Sequence, residues 1–296
     1  MKEESNRKIF ASLLVVAMVA LVSVLGTGCL GDDDDESLGT IEFGYVLWEG
    51  EIASTNVMTL VLEEAGYEVD MVSMDAGILY QSLADGSVDF STSAWLPATQ
   101  ANYWDVYGDD IDSVATNLEG CTIGLAVPSY LEDVNSIADL ANYSDEFDST
   151  IVGIDPGAGM MTNTETAMET YGIEDWSLIS SSSAGMLAEL TSAYDDEEWI
   201  VVTLWTPHWA FMKMDLKMLE DPEGDFGGAE HVETLARQGF QEDMPEAYEI
   251  IERFYWSQAD IQGVMLDVQE GMSAEDAAQK WIDDNRETVD YWLTGE

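Results

Sequence analysis

The residues of this sequence best suited to bind a ligand are three tryptophans, Trp48, Trp95 and Trp205. Indole faces attract cations through the ring quadrupole, by about 0.5–1 kcal/mol when exposed and about 2 kcal/mol or more when desolvated. A quaternary ammonium group has no N–H to donate, so a box of indole rings suits it. If the fold brings these rings together, they predict a quaternary ammonium site. Ordinary packing is expected for the other tryptophans, at positions 104, 176, 199, 209, 256, 281 and 292.

Acidic side chains dominate the charge of the chain, with 60 Asp and Glu against 9 Lys and Arg and a formal net charge of -51. This charge repels phosphate backbones and anionic headgroups, so it excludes nucleic-acid binding. The 10 Trp, 12 Tyr and 8 Phe nevertheless supply enough apolar surface for packed cores. The acidic residues therefore cover a folded surface, a composition typical of a protein that works in strong salt.

Lys and Arg are absent from the sequence between Cys29 and Met212. A site built in this stretch can hold an anion only through backbone N–H groups or neutral donors. Neither a GxSxG elbow nor a GxxxxGK[ST] phosphate loop occurs, and no Cys or His cluster has metal-ligand spacing. The acidic run 195–198 could hold a cation, although a solvated turn is the simpler interpretation. The sequence therefore predicts no enzyme, no cofactor and no metal.

Two stretches of the chain repeat the same order of predicted elements. Each has a strand, a helix, a second strand and a short helix, and ends in a β-rich run followed by a Trp-x-Pro motif. The motif Trp95-Leu96-Pro97 begins 19 residues after Ala76, and Trp205-Thr206-Pro207 begins 21 residues after Ala184. In the first repeat the predicted strands are 41–45, 69–72 and 88–93, with one helix capped by Ser54 or Thr55 and a short helix beginning at 76–79. In the second repeat the predicted strands are 151–154, 176–179 and 200–204, with one helix from the turn 156–159 to Tyr171 and a short helix beginning at 184–187.

Two such units predict an α/β protein with two lobes of mainly parallel strands and a ligand cleft beyond the carboxyl ends of those strands. Trp48, Trp95, Trp205 and the turn at Gly159 would line that cleft. We assign 41–118 plus 211–296 to lobe 1 and 119–210 to lobe 2.

The crossings between the lobes and the C-terminal helices complete this interpretation. The chain would cross at Glu119-Gly120 and return in the stretch 211–219. Helices over 245–254, 261–270 and 273–285 would pack on lobe 1, the last with a capping pattern at Ser273-x-x-Asp276.

The first 28 residues have the pattern of an export signal. Three basic residues precede an apolar run, 9–25, which is followed by small residues and then by Cys29. Cys29 with the acidic residues behind it is similar to a lipoprotein lipobox, with 29–40 as an acidic tether. A plain anchor helix without a lipid is the alternative. Beyond Cys29 only Cys121 is left, so no disulfide can form within the mature chain.

Four segments of the sequence resemble motifs of the glycine betaine-binding proteins of ABC importers. They are Trp-Glu-Gly-Glu-Ile-Ala-Ser-Thr-Asn-Val at 48–57, Ser-Ala-Trp-Leu-Pro at 93–97, Gly-Ile-Asp-Pro-Gly-Ala-Gly-Met at 153–160 and Trp-Thr-Pro-His-Trp at 205–209. The resemblance implies a two-lobed, periplasmic-binding-protein-like (type II, venus flytrap) fold. It also implies a cage of Trp48, Trp95 and Trp205 around the trimethylammonium group, with the carboxylate on the backbone N–H groups of Gly159 and Met160. Gln100 stands where some members have a His that binds the carboxylate, and its amide can still donate.

The leading hypothesis is a lipid-anchored receptor on the outer face of the cell membrane that captures glycine betaine. Its partners would be an ABC permease and a cytoplasmic ATPase. The alternatives are another solute on the same fold (choline, proline betaine, carnitine or ectoine), or a sensor domain that presents its ligand to a receptor. An extracellular enzyme ranks last because the catalytic motifs are missing.

Overall fold

A computed structural model describes residues 37–296, which form one compact unit. The predicted export signal, Cys29 and the tether up to residue 36 lie outside the described residues. No helix within 37–296 is long and apolar enough to cross a membrane. Nine strands form one mixed sheet, with β2-β1-β3-β9-β4-β7-β5-β6 as the order and β8 paired to β4. They are β1 (Thr40–Tyr45), β2 (Glu68–Ser73), β3 (Phe90–Leu96), β4 (Ile111–Pro128), β5 (Thr150–Val152), β6 (Ser177–Ile179), β7 (Val202–Thr206), β8 (Leu216–Met218) and β9 (Glu230–Arg237).

Eleven α-helices flank these strands within the described part of the chain. They are α1 (Glu49–Glu64), α2 (Ala76–Asp85), α3 (Ala101–Tyr107), α4 (Gly159–Thr170), α5 (Ser183–Asp195), α6 (Ala210–Lys213), α7 (Phe240–Asp243), α8 (Pro245–Arg253), α9 (Gln258–Gln269), α10 (Ala274–Asp284) and α11 (Arg286–Thr294). Short 3-10 helices cover Gly108–Asp110 and Ile137–Tyr143.

The repeated sequence pattern becomes a repeated strand order. In the first repeat β1 lies between β2 and β3 and is parallel to both. In the second repeat β5 lies between β6 and β7, again in parallel. In the sheet an antiparallel strand lies next to each repeat: β9 pairs with β3, and β4 pairs with β7. The carboxyl ends of β3 and β7, which carry Trp95 and Trp205, therefore occupy equivalent places.

The strand β4 lies between the two repeats in the sequence, and in the sheet it joins the strands of one repeat to those of the other. Its first half pairs with β9, and its second half pairs with β7 and with β8. Because β8 joins the strands of the second repeat, we propose that lobe 2 extends through Met218. The return to lobe 1 would then lie between β8 and β9, later than the boundary at residue 210 suggested by the sequence.

Helix α1 shows why the first repeat folds as it does. Its buried face carries Ala53, Val57, Val61 and Met58 at helical spacing, and these side chains pack in the core below the sheet. The expected cap at Ser54 or Thr55 is wrong, because the helix begins at Glu49 with Trp48 at the N-cap position. Ser54 and Thr55 are instead buried inside the helix, where Ser54 Oγ contacts Thr92 Oγ1 at 2.9 Å.

The C-terminal helices match their predicted positions, and α11 is an addition that the sequence pattern did not indicate. The Ser273 hydroxyl accepts from the Asp276 N–H at 3.0 Å, so the predicted cap of α10 is confirmed. Aromatic side chains join these helices to one another, with the Trp281 and Trp292 rings stacked at 5.5 Å. The expectation of ordinary packing holds for these two rings.

Candidate functional site

One cavity collects the residues that the sequence singled out. Trp48, Trp95 and Trp205 all line it, and their exposed fractions are only 7%, 9% and 5%. Gly159 and Met160 line the same cavity. The carboxyl ends of β3 and β7 supply Trp95 and Trp205, and the segments after β1 and β5 supply the others, which is the edge of a parallel α/β sheet where ligands bind. The geometry thus brings three indole rings and the start of a helix around one small space.

Trp48 follows β1, and its ring is positioned from the second repeat. The indole Nε1–H donates to Asp155 Oδ2 at 3.1 Å, and Asp155 lies in the turn between β5 and α4. Trp205 is positioned within its own repeat by His208, whose ring meets it edge-on at 4.8 Å between centroids. His208 Nδ1 in turn accepts from the Ala210 N–H at 3.0 Å. Both indoles are therefore fixed in orientation by a specific neighbour.

Gln100 is buried beside Trp95 but is not among the residues that line the cavity. Its Oε1 accepts from the Trp95 N–H at 3.0 Å and from the Tyr80 hydroxyl at 2.9 Å. The backbone N–H of Gln100 donates to the Trp95 carbonyl at 3.1 Å. In this structure Gln100 thus holds the backbone of Trp95 rather than pointing an amide into the cavity.

The start of α4 faces the cavity through Gly159 and Met160. The N–H groups of a first helical turn have no acceptor within the helix, and the positive end of the helix dipole lies there, so such a turn favours anions. The Gly159 Cα packs against the backbone of Thr99, and a Cβ at this position would lie 1.6 Å from the Thr99 carbonyl oxygen. Only glycine fits this approach.

Glu230 fixes the loop that carries Thr99. Its Oε1 accepts from the N–H groups of Ala98 and Thr99, both at 2.7 Å, and its Oε2 accepts from the Thr99 hydroxyl. Glu230 is buried at the start of β9, opposite Cys121 on β4. No sequence pattern indicated this carboxylate, which is more than 130 residues from the loop that it holds.

Several cavity residues have no counterpart in the repeat and were not predicted. The cavity wall contains both polar and apolar side chains. The polar group is Glu51, Ser54, Thr92, Ser93, Thr99 and Asn117, and the apolar group includes Leu118, Ile123, Ile154, Val232, Trp256 and Ile261. Trp256 was expected to pack in the core, and it does contact Trp281 edge-on at 5.8 Å, but it also reaches the cavity. Glu51 lies three residues after Trp48, and that spacing at the start of a helix was the available signal.

Hydrogen bonds join the two repeats around the cavity mouth. Glu49 Oε2 accepts from the Ser183 hydroxyl at 2.6 Å, and the Tyr103 hydroxyl donates to the Gly157 carbonyl at 2.7 Å. Together with the bond between Trp48 and Asp155, they connect α1, α3 and the loop after β1 to α5 and the turn before α4. These bonds therefore hold the two repeats together next to residues that line the cavity.

The chain matches a known protein family over most of its length. Residues 39–284 match the OpuAC family, the substrate binding domain of ABC-type glycine betaine transport system. The glycine betaine/carnitine transport binding protein GbuC of Listeria monocytogenes is 44% identical over 153 residues, which are 51% of this chain and 51% of GbuC. The match thus spans about half the length of that relative.

Solved structures show the same two-lobed α/β fold, as predicted. Lactococcal OpuAC, in a closed conformation with glycine betaine, has a TM-score of 0.83 and 40% identity, covering 86% of this chain and 100% of that one. An ABC-transporter choline binding protein in complex with choline has a TM-score of 0.81 and 27% identity, covering 86% and 92%. With a family match over 39–284 and this agreement in fold, the chain belongs to the OpuAC family of transport substrate-binding proteins.

Proposed function

We propose that this protein binds glycine betaine outside the cytoplasm and delivers it to an ABC permease with a cytoplasmic ATPase. The observation that carries the proposal is the meeting of Trp48, Trp95 and Trp205, all three buried, in one cavity. Desolvated indole faces are the groups that best stabilise a methylated ammonium. The family and its glycine betaine-bound lactococcal relative support the same ligand.

In the proposed complex the ammonium group lies among the three indoles and the carboxylate lies at the start of α4. The N–H groups of Gly159 and Met160 would donate to it, which agrees with the absence of any Lys or Arg among the residues that line the cavity. Gln100 would act through Trp95, whose backbone it holds, and its amide is proposed as a further carboxylate donor only if its side chain reorients.

Choline is the principal alternative ligand, because a relative of the same fold is in complex with choline. Choline has the quaternary ammonium but no carboxylate, so it would leave the N–H groups of Gly159 and Met160 unused. Proline betaine, carnitine and ectoine are further candidates with a carboxylate. A sensor domain that presents its ligand to a receptor would use the same cavity, and neighbouring permease and ATPase genes would argue against it.

Attachment to the outer face of the membrane is part of the proposal. Cys29, at the end of the export signal, would carry the lipid, and the acidic tether 29–40 would hold the binding domain in solution. The very acidic surface suits an organism that lives in brine and imports compatible solutes.

Calorimetric titration of the protein in molar salt tests the ligand. We expect glycine betaine to bind with micromolar or lower Kd, and glycine to bind far more weakly because it lacks the methylated ammonium. Trp95→Ala and Trp205→Ala should each weaken betaine binding by about tenfold or more, since each removes a desolvated cation–π contact. Trp176→Ala, a buried tryptophan away from the cavity, is the control. Equal binding of betaine and glycine would overturn the cage.

A further inference from the structure

A buried carboxylate without a charge partner lies in the wall of the indole cavity. Glu51 is 4% exposed, and it is the one ionisable side chain among the described residues that line this cavity. Its Oε2 accepts from the Val46 N–H at 2.9 Å. Its Oε1 has no hydrogen-bond partner among the described residues. The nearby Ser93 hydroxyl is already paired with Ser91 Oγ at 2.9 Å.

A carboxylate in such a place requires a positive partner if it is to ionise. Every Lys and Arg between residues 37 and 296 is engaged elsewhere, and none lines the cavity. Lys213 pairs with Glu270, Lys217 with Asn135, Arg237 with Asp89, Arg253 with Glu249, Lys280 with Asp267 and Arg286 with Glu64. His208 faces Glu49, with Nε2 3.7 Å from Oε2. The protein therefore supplies no cation to Glu51.

We propose that the ionised carboxylate of Glu51 is the counter-ion of the ligand's quaternary ammonium group, and that ligand binding expels the proton that Glu51 carries in the empty cavity. This inference rests on the proposed function, because it needs an ammonium ligand among the indoles. It makes Glu51 a specificity residue: the indole rings accept the shape of the methylated head, and Glu51 requires that this head be charged.

The electrostatics around Glu51 agree with a neutral carboxyl in the empty cavity. Burial raises the pKa of Glu51 well above its usual range, and the hydrogen bond from the Val46 N–H opposes that shift without cancelling it. The titratable groups on the surrounding elements supply no positive charge, because the one imidazole among them, that of His208, accepts the Ala210 N–H at Nδ1. They are Glu49 on the same helix, Tyr80 on α2, Glu230 and Glu233 on β9, Asp155 before α4 and His208 after β7.

The sign of the pH dependence follows from this arrangement. Below the pKa of Glu51 in the empty protein, binding has to remove a proton, so affinity falls as pH falls. Above that pKa the carboxylate is already ionised, and affinity no longer depends on it. Between the pKa values of the bound and empty states the dissociation constant should change by up to about tenfold per pH unit.

Calorimetry in pairs of buffers with different ionisation enthalpies measures the protons released per ligand bound. We expect release approaching one proton per glycine betaine at pH values below the raised pKa of Glu51 in the empty protein, which declines to zero as the pH rises through that pKa. In Glu51→Gln the release attributed to Glu51 should be absent, and at high pH betaine should bind about 10- to 100-fold more weakly than to the wild type. Glu63→Gln, an exposed carboxylate on the same helix, should retain wild-type behaviour.

An analogue that lacks the ammonium charge but keeps the carboxylate separates the role of Glu51 from a merely structural one. In 3,3-dimethylbutanoate a carbon replaces the ammonium nitrogen of betaine and the shape is kept. The preference of the wild type for betaine over this analogue should shrink in Glu51→Gln, whereas a general loss of structure would weaken both ligands equally. A thermal unfolding curve establishes that the variant is folded.

The outcomes distinguish the two proposals. If betaine binds tightly to the wild type without proton release at any pH, and Glu51→Gln keeps the preference for betaine over its carbon analogue, the counter-ion role is overturned while the ligand assignment stands. If betaine does not bind to the wild type at all, the proposed function fails, and the role of Glu51 fails with it.

Discussion

Gly159 is the cavity residue with the strictest steric requirement. It stands at the first position of α4 and touches the backbone carbonyl of Thr99, which belongs to the other repeat. A side chain at 159 would push the two backbones apart at the point where the proposed carboxylate site has to form. The contact is made by main-chain atoms on the Thr99 side, so rotation of a flexible side chain cannot relieve it.

We therefore predict that Gly159→Ala weakens glycine betaine binding by at least about tenfold, because the added Cβ prevents the closed approach of Thr99. Titration calorimetry measures the loss. The matched control is Gly263→Ala in α9, where a Cβ meets no heavy atom within 4 Å. That change should leave binding intact and raise the free energy of unfolding by about 0.4–1 kcal/mol. Unchanged betaine affinity in Gly159→Ala would contradict the proposed closure.

The predictability of each cavity residue depended on its place in the repeat. Trp48, Trp95 and Trp205 could be selected because they recur at equivalent strand ends, and the structure does bring them together. Asn117 and Trp256 could not be selected, because β4 and the segment after α8 lie outside the two repeated stretches of sequence and reach the cavity only by tertiary packing. The contacts of the three tryptophans with a ligand remain a prediction.

At the scale of elements, the loop between β3 and α3 depends on one distant side chain. Glu230 at the start of β9 accepts three hydrogen bonds from Ala98 and Thr99. Without it, the buried N–H and hydroxyl of Thr99 and the partly buried N–H of Ala98 would have no acceptor. This loop also carries the carbonyl that meets Gly159, so its position affects both stability and the cavity.

Glu230→Ala should lower the free energy of unfolding by about 2–5 kcal/mol, since each buried group without an acceptor costs about 1–3 kcal/mol. Urea unfolding followed by circular dichroism measures this change. Glu230→Gln keeps an acceptor oxygen and should lose less, and Glu223→Ala on the surface should lose little. A Glu230→Ala variant as stable as the wild type would show that the loop does not depend on this carboxylate.

The elements themselves were largely predictable, and the errors have physical causes. The strands of both repeats and the cap at Ser273 follow from hydrophobic runs and capping chemistry. The start of α1 was misplaced because Ser54 and Thr55 have the side chains of a cap. Tertiary packing buries them instead, and Ser54 pairs with Thr92. Local sequence cannot reveal that β3 will supply a partner for a hydroxyl.

For the molecule as a whole, charge is the dominant feature. With 60 acidic and 9 basic residues, the folded state experiences strong self-repulsion at low ionic strength. The Debye length falls from about 30 Å at 0.01 M salt to about 3 Å at 1 M, so salt should remove most of that repulsion.

We expect the Tm to rise by at least about 4 °C between 0.01 M and 0.5 M KCl, a gain of roughly 1–2 kcal/mol for a chain of this size. Differential scanning calorimetry measures it, and NaCl should act equally because screening depends on ionic strength alone. A Tm that does not change below about 0.5 M would contradict the screening account. A rise found only at higher concentrations would indicate exclusion of salt from the surface.

The long strand β4 has a consequence for how the molecule moves. Among the described strands it is the one that pairs with β9 in one half of the sheet and with β7 in the other. Rotation of one repeat against the other must therefore twist its backbone. The pairing of β4 with β9 is irregular between Glu119 and Cys121, where Gly120 has a φ of 75°. The Gln258 side chain at the start of α9 donates to the carbonyls of Glu119 and Gly120, at 3.0 and 2.8 Å. One amide thus restrains two peptide units at the irregular point of β4, and we expect α9 to resist rotation of one repeat against the other.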